Sequence, residues 1–406
     1  MASAPVSRIV RARADGSAPG ASARRMLAAN AFGALALAES KRLARAHTAA
    51  VHSLAIDAAH ERYLLSAGAD TSIQLYDLDA GSNNSGASSG VRQIEPTQSI
   101  PAGAGHSRIV SSVAWYPVDS GLFATASFDG TLCIWDAATM TEACRFDLEC
   151  RVYCQAMSPT GAHALVAAAS EAAHIRLGDL RTGAFAQTLP IRQPGGTAVA
   201  WSPVSPHILA SGSAGGGLRL WDIRQAGGHL HDFGSGDGAD AHPGGVCGLL
   251  FAADGRRLVS SGTDAGVRVW DIDEPQSPLA DIPSGCESDS RRYGALRRCE
   301  LAIATAPGDA ASSSIVFCPN GDNTVAAIDI AGGRRLPALD GHFAPTLCAA
   351  WRPGHAELYT GGADSNVLVW CAPARAAPSE DVAGLRADTW SESESDDVGA
   401  EVYCDL

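Results

Sequence analysis

The chain has 406 residues, of which 46% are hydrophobic and 18% are charged, and its formal net charge is −14. Its basic residues are 29 arginines and one lysine, Lys41; no Gly-Lys pair occurs, which excludes a phosphate-binding loop of the GxxxxGK[ST] type. The acidic balance argues against a general nucleic-acid binder, and no apolar run approaches the roughly 18 residues that a membrane span needs.

The N-terminal part divides into two predicted segments. Residues 1–22 are predicted to be disordered. Residues 23–45 contain good helix formers and place Leu27 and Leu35 on one apolar strip that Phe32 widens, which predicts a short helix. The five arginines and single acid among the first 38 residues are also typical of a mitochondrial transit peptide, so that alternative stays open.

Between residues 46 and 372, strand-like runs of alternating apolar and polar residues end repeatedly in an aromatic residue followed by Asp, with Cys371 in place of Asp in the last copy. Five clear copies close at Tyr76-Asp77, Trp135-Asp136, Trp221-Asp222, Trp270-Asp271 and Trp370-Cys371, and two weaker copies close at Asp179 and Asp329. The steps between copies run from 42 to 59 residues, which matches a four-stranded repeat of about 40–45 residues with added loops. One such unit cannot bury both faces of its sheet, so seven units must pack radially. The sequence therefore predicts an all-β fold, a seven-bladed WD-repeat β-propeller.

Polar residues recur at equivalent places in the strong copies, where they predict buried hydrogen-bonded sets. The sets are His47, Ser66, Asp70 and Tyr76; His106, Ser127, Asp129 and Trp135; His242, Asp264 and Trp270; and His342, Asp364 and Trp370, in which Gly361 leaves the hydroxyl missing. A combination of His, Ser and Asp suggests a hydrolase. Because a catalytic site is normally built once, recurrence in blade after blade favours a structural role, and we predict no catalytic residue.

Several other motifs resemble functional sites. Residues 86–90 match the GxSxG pattern, but they lie in a low-complexity stretch without a flanking strand and helix. His229, His231, Asp232, Asp237, Asp240 and His242 crowd one Gly-rich region that could hold a metal, although a solvated insertion is the simpler interpretation. The arginines between residues 291 and 298 predict either a solvated loop or a patch for a nucleic acid or an acidic partner. The eleven scattered cysteines lack a CxxC pair and are interpreted as buried thiols, so neither a metal nor a cofactor is predicted.

The C-terminal segment 373–406 is predicted to be a disordered acidic tail. From Ser379 to Leu406 there are nine acids and one base, so this short stretch carries −8 of the net charge. Its Ser-Glu-Ser-Glu-Ser run could accept phosphates. The remainder of the chain is close to neutral.

Particular segments resemble one family more closely than the repeat alone requires. They are WYPVDSGLFATASFDGTLCIWD, ERYLLSAGADTSIQLYDL, AVAWSPVSPHILASGSAGGGLRLWDIR, ELYTGGADSNVLVW and the ending ADTWSESESDD. In these runs the chain resembles the Cockayne syndrome group A family, WD-repeat factors of transcription-coupled nucleotide excision repair. The resemblance implies a nuclear substrate receptor of a cullin 4 ubiquitin ligase. Its adaptor would be the large subunit of the damaged-DNA-binding protein, and its clients would be the Cockayne syndrome B ATPase and stalled RNA polymerase II.

The resemblance also implies which residues contact the adaptor. Receptors of this class carry a WDxR box, which Trp221, Asp222 and Arg224 match fully and Asp179 and Arg181 match in part. The family's second anchor is a helical N-terminal segment, which corresponds here to Leu27, Phe32 and Leu35. Direct sequence-specific nucleic-acid binding and membrane association are not expected. The alternative is a WD-repeat scaffold for a chromatin or signalling complex.

The scarcity of lysine has two interpretations. Arginine codons replacing lysine codons would produce it without any functional cause. A ligase receptor with lysine only at position 41 would also offer almost no site for its own modification.

Overall fold

The computed structural model describes residues 32, 34–80, 91–191, 195–225, 228–234, 240–283, 299–305 and 314–372. The strands of the first half are β1 (Ala36–Leu37), β2 (Lys41–Leu43), β3 (Val51–Ile56), β4 (Tyr63–Gly68), β5 (Ile73–Asp77), β6 (Arg92–Ile94), β7 (Pro96–Ile100), β8 (Val110–Trp115), β9 (Leu122–Ser127), β10 (Thr131–Asp136), β11 (Thr141–Asp147), β12 (Val152–Met157), β13 (Leu165–Ser170), β14 (His174–Asp179) and β15 (Ala184–Pro190).

The second half continues the same pattern, with one 3₁₀ turn at Pro353–His355. Its strands are β16 (Gly196–Trp201), β17 (Ile208–Ser213), β18 (Leu218–Asp222), β19 (His229–Phe233), β20 (Val246–Phe251), β21 (Arg257–Gly262), β22 (Gly266–Asp271), β23 (Ala280–Pro283), β24 (Ala302–Thr305), β25 (Ser314–Pro319), β26 (Thr324–Asp329), β27 (Arg334–Arg335), β28 (Leu339–Asp340), β29 (Thr346–Arg352), β30 (Glu357–Gly362) and β31 (Val367–Cys371). Among the described residues, no helix is long and apolar enough to cross a membrane.

Within the described residues these strands form seven antiparallel sheets, which are the blades of a propeller, and β2 and β6 form a separate two-stranded parallel sheet. Blades 1 to 5 are β3-β4-β5-β7, β8-β9-β10-β11, β12-β13-β14-β15, β16-β17-β18-β19 and β20-β21-β22-β23, each written from inner to outer strand. Blade 6 is β24-β25-β26, with β27 and β28 sharing the outer position, and blade 7 is β29-β30-β31 with β1 outermost. The predicted seven-bladed all-β propeller is confirmed.

The blades are held together by apolar clusters that lie between neighbours. One cluster joins blades 1 and 2 through Leu65, Val113 and Phe123, and another joins blades 4 and 5 through Leu220 and Trp270. Every other neighbouring pair shares a cluster of the same kind, including blades 7 and 1. Each blade buries both of its faces only because it has two neighbours, which is why the repeats form a closed ring.

The ring closes through the N-terminal segment, where residues 36–37 and 41–43 of the predicted helical segment 23–45 form strands; residues 23–31 and 33 of that segment lie outside the described residues. Residues 34–45 contain β1 and β2: Ala36 pairs with Cys371, and the backbone N–H of Ala38 donates to the carbonyl of Val369 at 2.8 Å. Without β1, β31 would be an unpaired edge, so closure satisfies backbone groups that a helix would leave open. The propeller thus begins before the predicted boundary at 46. Leu27 and the tail 373–406 lie outside the described residues.

Candidate functional site

The recurring polar residues form buried hydrogen-bonded sets at one face of the ring. In blade 5, His242 Nδ1 lies 3.0 Å from Asp264 Oδ1 and His242 Nε2 lies 2.7 Å from Ser260 Oγ, to which Trp270 Nε1 donates at 2.9 Å. In blade 1, His47 lies 2.7 Å from Ser66 Oγ and 3.1 Å from Asp70. Each set ties the loop before the inner strand to the turn between the second and third strands.

The hydroxyl in two sets differs from the predicted one. In blade 2 it belongs to Thr125, which lies 2.7 Å from His106 Nε2 and accepts from Trp135 Nε1 at 2.8 Å. Ser127 instead donates to the carbonyl of Arg108 and accepts from the N–H of Asp129.

Blade 7 does not lack its hydroxyl. Thr360, rather than Gly361, supplies it: Thr360 Oγ1 lies 2.9 Å from His342 Nε2 and accepts from Trp370 Nε1 at 2.8 Å. The hydroxyl always comes ten residues before the aromatic residue, as in Ser211 and Trp221 of blade 4. That constant spacing is a sequence signal that could have identified both threonines.

These sets resemble a catalytic triad but are closed to substrate. In blades 2 and 7 an indole N–H, which can only donate, bonds to the hydroxyl of Thr125 or Thr360. That hydroxyl then donates to the histidine Nε2, so Nδ1 carries the hydrogen that faces the carboxylate. Ser66, Thr125 and Ser260 are completely buried. The arrangement therefore gives the polar groups of each set partners inside the fold and leaves the hydroxyl inaccessible to a substrate.

The carboxylates of the sets are held in their charged form. Burial alone would raise the pKa of Asp70, but hydrogen bonds from His47, Ser72 and the N–H of Thr48 outweigh it and lower the pKa to about 2. The pKa of Asp129 is also lowered, since contacts with His106 and Thr131 overcome the effect of burial. Tyr76, which replaces Trp in blade 1, is buried; its OH donates to the carbonyl of Ala44 at 3.4 Å, and burial raises its pKa to about 12.

The opposite face, here called the turn face, consists of the turns after the third strands and the loops between the first and second strands. Arg224 lies in the turn after β18, and its side chain is 64% exposed. Its Nε and Nη2 atoms donate to Asp222 at 3.0 and 2.7 Å, and these bonds lower the pKa of Asp222 to about 2. Trp221 and Asp222 are buried, so they hold Arg224 in place rather than contacting a partner themselves.

Arg181 occupies the equivalent turn after β14 in the neighbouring blade and is exposed. Asp179 accepts from its backbone N–H at 2.9 Å, as Asp222 does from Arg224. Gly178 stands where the strong copies have Trp, and a Cβ there would lie about 3.0 Å from the ring of Phe146. Phe146 thus fills the space that the indole takes elsewhere. The two turns present arginines from adjacent blades on one face.

Exposed aliphatic side chains lie on the same face. Val118, between β8 and β9, is 57% exposed, and Val204, between β16 and β17, is 63% exposed. Gly161 and Gly255 of the next blades approach them closely. Each valine therefore lies at a junction between blades. The face combines these exposed apolar groups with the exposed Arg181 and Arg224, and the Arg224 side chain is held by its bonds to Asp222.

Phe32 and Leu35, predicted as adaptor contacts, are buried in the core. They belong to the cluster between blades 6 and 7, where the Phe32 ring lies 5.4 Å from that of Trp351 with its edge toward it. The apolar strip predicted to dock on the adaptor is covered by the propeller itself. These side chains are not available to a partner in the closed ring.

The other motifs that resemble functional sites are described only in part. His229, His231 and Asp232 lie in β19 rather than in a loop, and Asp232 pairs with Arg219 at 2.7 Å. In the part of the chain that the structure describes, no cluster of His, Cys, Asp or Glu has metal-binding geometry. Residues 86–90, Asp237 and the arginines of 291–298 lie outside that part.

Comparison with known proteins identifies the repeat. Five segments match the family described as WD domain, G-beta repeat: residues 39–77, 95–136, 194–222, 239–271 and 333–371. They correspond to blades 1, 2, 4, 5 and 7. Blades 3 and 6, outside these matches, are the two weaker copies recognised in the sequence. Propellers of this repeat are typically non-catalytic scaffolds.

The chain is similar to curated relatives with different names. WD repeat-containing protein ATCSA-1 of Arabidopsis thaliana is 37% identical over 197 residues, 48% of this chain and 43% of that protein. A Ribosome biogenesis protein WDR12 homolog of Chlamydomonas reinhardtii is 37% identical over 125 residues, 30% of this chain and 28% of that protein. Radiation-sensitive protein 28 of Saccharomyces cerevisiae is 30% identical over 139 residues, 32% of this chain and 27% of that protein. The chain spans less than half the length of these relatives.

These matches contradict the assignment to the Cockayne syndrome group A family. Ribosome biogenesis proteins from several organisms match over spans comparable to that of ATCSA-1. The comparisons therefore show similarity to WD-repeat proteins in general and identify no narrower family.

Proposed function

We propose that this chain, which belongs to the WD-repeat β-propeller proteins, is a non-enzymatic substrate-recognition subunit of a cullin-RING ubiquitin ligase that acts in DNA repair. Its turn face would bind the ligase adaptor, the large subunit of the damaged-DNA-binding protein. Another surface would bind a repair or transcription client in the nucleus. The propeller would bring client and ligase together, and the bond-making would belong to other subunits.

The observation that carries the proposal is the pair of arginines on the turn face. Arg224 is held by two charge-assisted hydrogen bonds to a buried carboxylate, so little side-chain freedom is lost on binding. Arg181 and the exposed Val118 and Val204 extend the surface. Arginine is enriched among protein-binding hot spots, and the exposed aliphatic side chains add apolar area to the same face. A relative named for radiation sensitivity is consistent with a role in DNA repair.

The second candidate function is a scaffold in ribosome assembly, which the similarity to ribosome biogenesis proteins favours. Affinity purification of the intact protein followed by mass spectrometry, before and after ultraviolet irradiation, separates the two. Recovery of the adaptor and a cullin supports the receptor. Recovery of preribosomal proteins without them overturns it in favour of the scaffold.

A further inference from the structure

The single lysine of the chain is enclosed where the ring closes. Lys41 begins β2, which pairs in parallel with β6, and its side chain is 11% exposed. Its Nζ atom donates to Glu357 Oε2 and Oε1 at 2.7 and 3.0 Å and to the Tyr359 OH at 2.7 Å. The three hydrogens of the ammonium group thus have acceptors inside the protein.

The acceptors of Lys41 are themselves fixed. The Tyr359 OH donates to Glu357 Oε2 at 2.6 Å, and Arg352 lies 3.3 Å from the same oxygen. Arg352 also donates to Asp79 Oδ1 at 2.8 Å and to the carbonyl of Glu61 at 2.6 Å. This cluster connects the N-terminal strands to blades 7 and 1. Lys41 is held away from solvent as long as these contacts persist.

We propose that Lys41 is a conformation-dependent modification site: its amine is closed to acyl transfer in the closed ring and becomes an acceptor when β1 and β2 detach. In the reaction, the neutral amine attacks the carbonyl carbon of an ubiquitin thioester. A C–N bond forms, the C–S bond breaks, the thiolate leaves on the conjugating enzyme, and the ammonium proton passes to water. Burial lowers the pKa of Lys41, which by itself favours the reactive neutral amine, while the contacts with Glu357 raise that pKa. Protonation therefore does not protect the buried lysine, and the rate of acyl transfer depends on whether the thioester can reach the amine.

The consequence for the ligase rests on the proposed function. A receptor is held close to activated ubiquitin, and in these 406 residues no other lysine exists to accept it. The closed propeller would therefore escape modification on lysine, whereas a receptor whose ring has opened would expose Lys41 and be marked for removal. This would couple the lifetime of the receptor to the integrity of its own fold.

The test compares Lys41 with a lysine placed on the surface of the full-length protein. Arg334 lies on the outer strand β27 and is 55% exposed, so the Arg334→Lys variant supplies a matched reactive amine. Both proteins are acetylated with an N-hydroxysuccinimide ester, and peptide mass spectrometry follows each site over time. We expect Lys41 to react at least tenfold more slowly than the introduced lysine in buffer, and equally fast in 6 M guanidinium. Equal rates in buffer would overturn the proposal.

A loosened ring tests the conformational part. Ala38→Pro removes the N–H that donates to Val369, and it should accelerate acetylation of Lys41 but not of the introduced lysine. If that variant does not fold, acetylation of the Arg334→Lys protein along a urea titration replaces it, and Lys41 must become reactive as β1 detaches. Reactivity of Lys41 that stays unchanged until global unfolding would contradict the conformational part.

A reconstituted ubiquitylation reaction addresses the ligase separately. Ubiquitin on the introduced lysine but not on Lys41 is expected. Ubiquitin on Lys41 of the closed protein would refute the proposal. If neither site is modified and the adaptor does not bind, the proposed function fails, while the acetylation result still decides whether Lys41 is enclosed.

Discussion

The hydroxyl of Thr125 offers the sharpest test of how a blade is held together. Thr125 is completely buried, and its Oγ1 accepts from Trp135 and donates to His106. Thr125→Val keeps the shape of the side chain but leaves the indole N–H and the histidine Nε2 without partners. Since each of these two buried groups left unpaired costs about 1–3 kcal/mol, we expect the free energy of unfolding to fall by about 2–6 kcal/mol.

Two matched variants separate this effect from other losses. Thr125→Ser retains both hydrogen bonds and removes one methyl group, so it should cost only about 1 kcal/mol. Ser127→Ala removes bonds to the backbone beside a surface turn and should also cost about 1 kcal/mol. Guanidinium unfolding followed by tryptophan fluorescence measures all three. If Thr125→Val is no more damaging than Thr125→Ser, or if Ser127→Ala is the worst of the three, the assignment of the hydroxyl is refuted.

Two further predictions follow from burial and charge. Phe32→Ala empties a site against Trp351 and should lower the free energy of unfolding by about 3–5 kcal/mol, measured by the same titration; a surface-docking Phe32 would give no loss. The pKa of Asp70 is about 2 when folded and ordinarily 3.8, so its charge contributes about 2 kcal/mol that is fully present above pH 4 and lost as the pH falls through 2. Asp70→Asn should therefore destabilise the protein at pH 7 and progressively less toward pH 2, and a difference independent of pH would contradict this.

The sequence predicts most of the fold because each blade is specified by residues that are close together in the chain. A closing Trp or Tyr, alternating strands and a repeat length are enough to count seven blades, even where Asp179 and Asp329 close without an aromatic residue. Ring closure is different. Ala36 and Leu37 show no strand pattern and become a strand only because β31 has an open edge, a feature that exists only in the assembled ring.

The candidate sites, like the fold, are specified partly by local sequence and partly by contacts that exist only in the assembled ring. The polar sets could be located from their spacing, yet Ser127 and Thr125 are both hydroxyl residues on one strand, and only the alternation of faces decides which one meets His106. The sequence shows the apolar strip around Phe32 and Leu35. Which surface covers that strip depends on the blades that pack against it in the folded ring. The enclosure of Lys41 could not have been predicted, because Glu357 and Tyr359 are more than three hundred residues away.

The central claim is that the turn face binds a ligase adaptor through Arg181 and Arg224. Its most direct test is the affinity of the purified full-length protein for the purified large subunit of the damaged-DNA-binding protein, measured by biolayer interferometry. We predict that Arg181→Ala combined with Arg224→Ala weakens the Kd at least tenfold, while the matched Arg334→Ala variant leaves it unchanged. Absence of binding by the unaltered protein, or an unchanged Kd in the folded double variant, would contradict the claim.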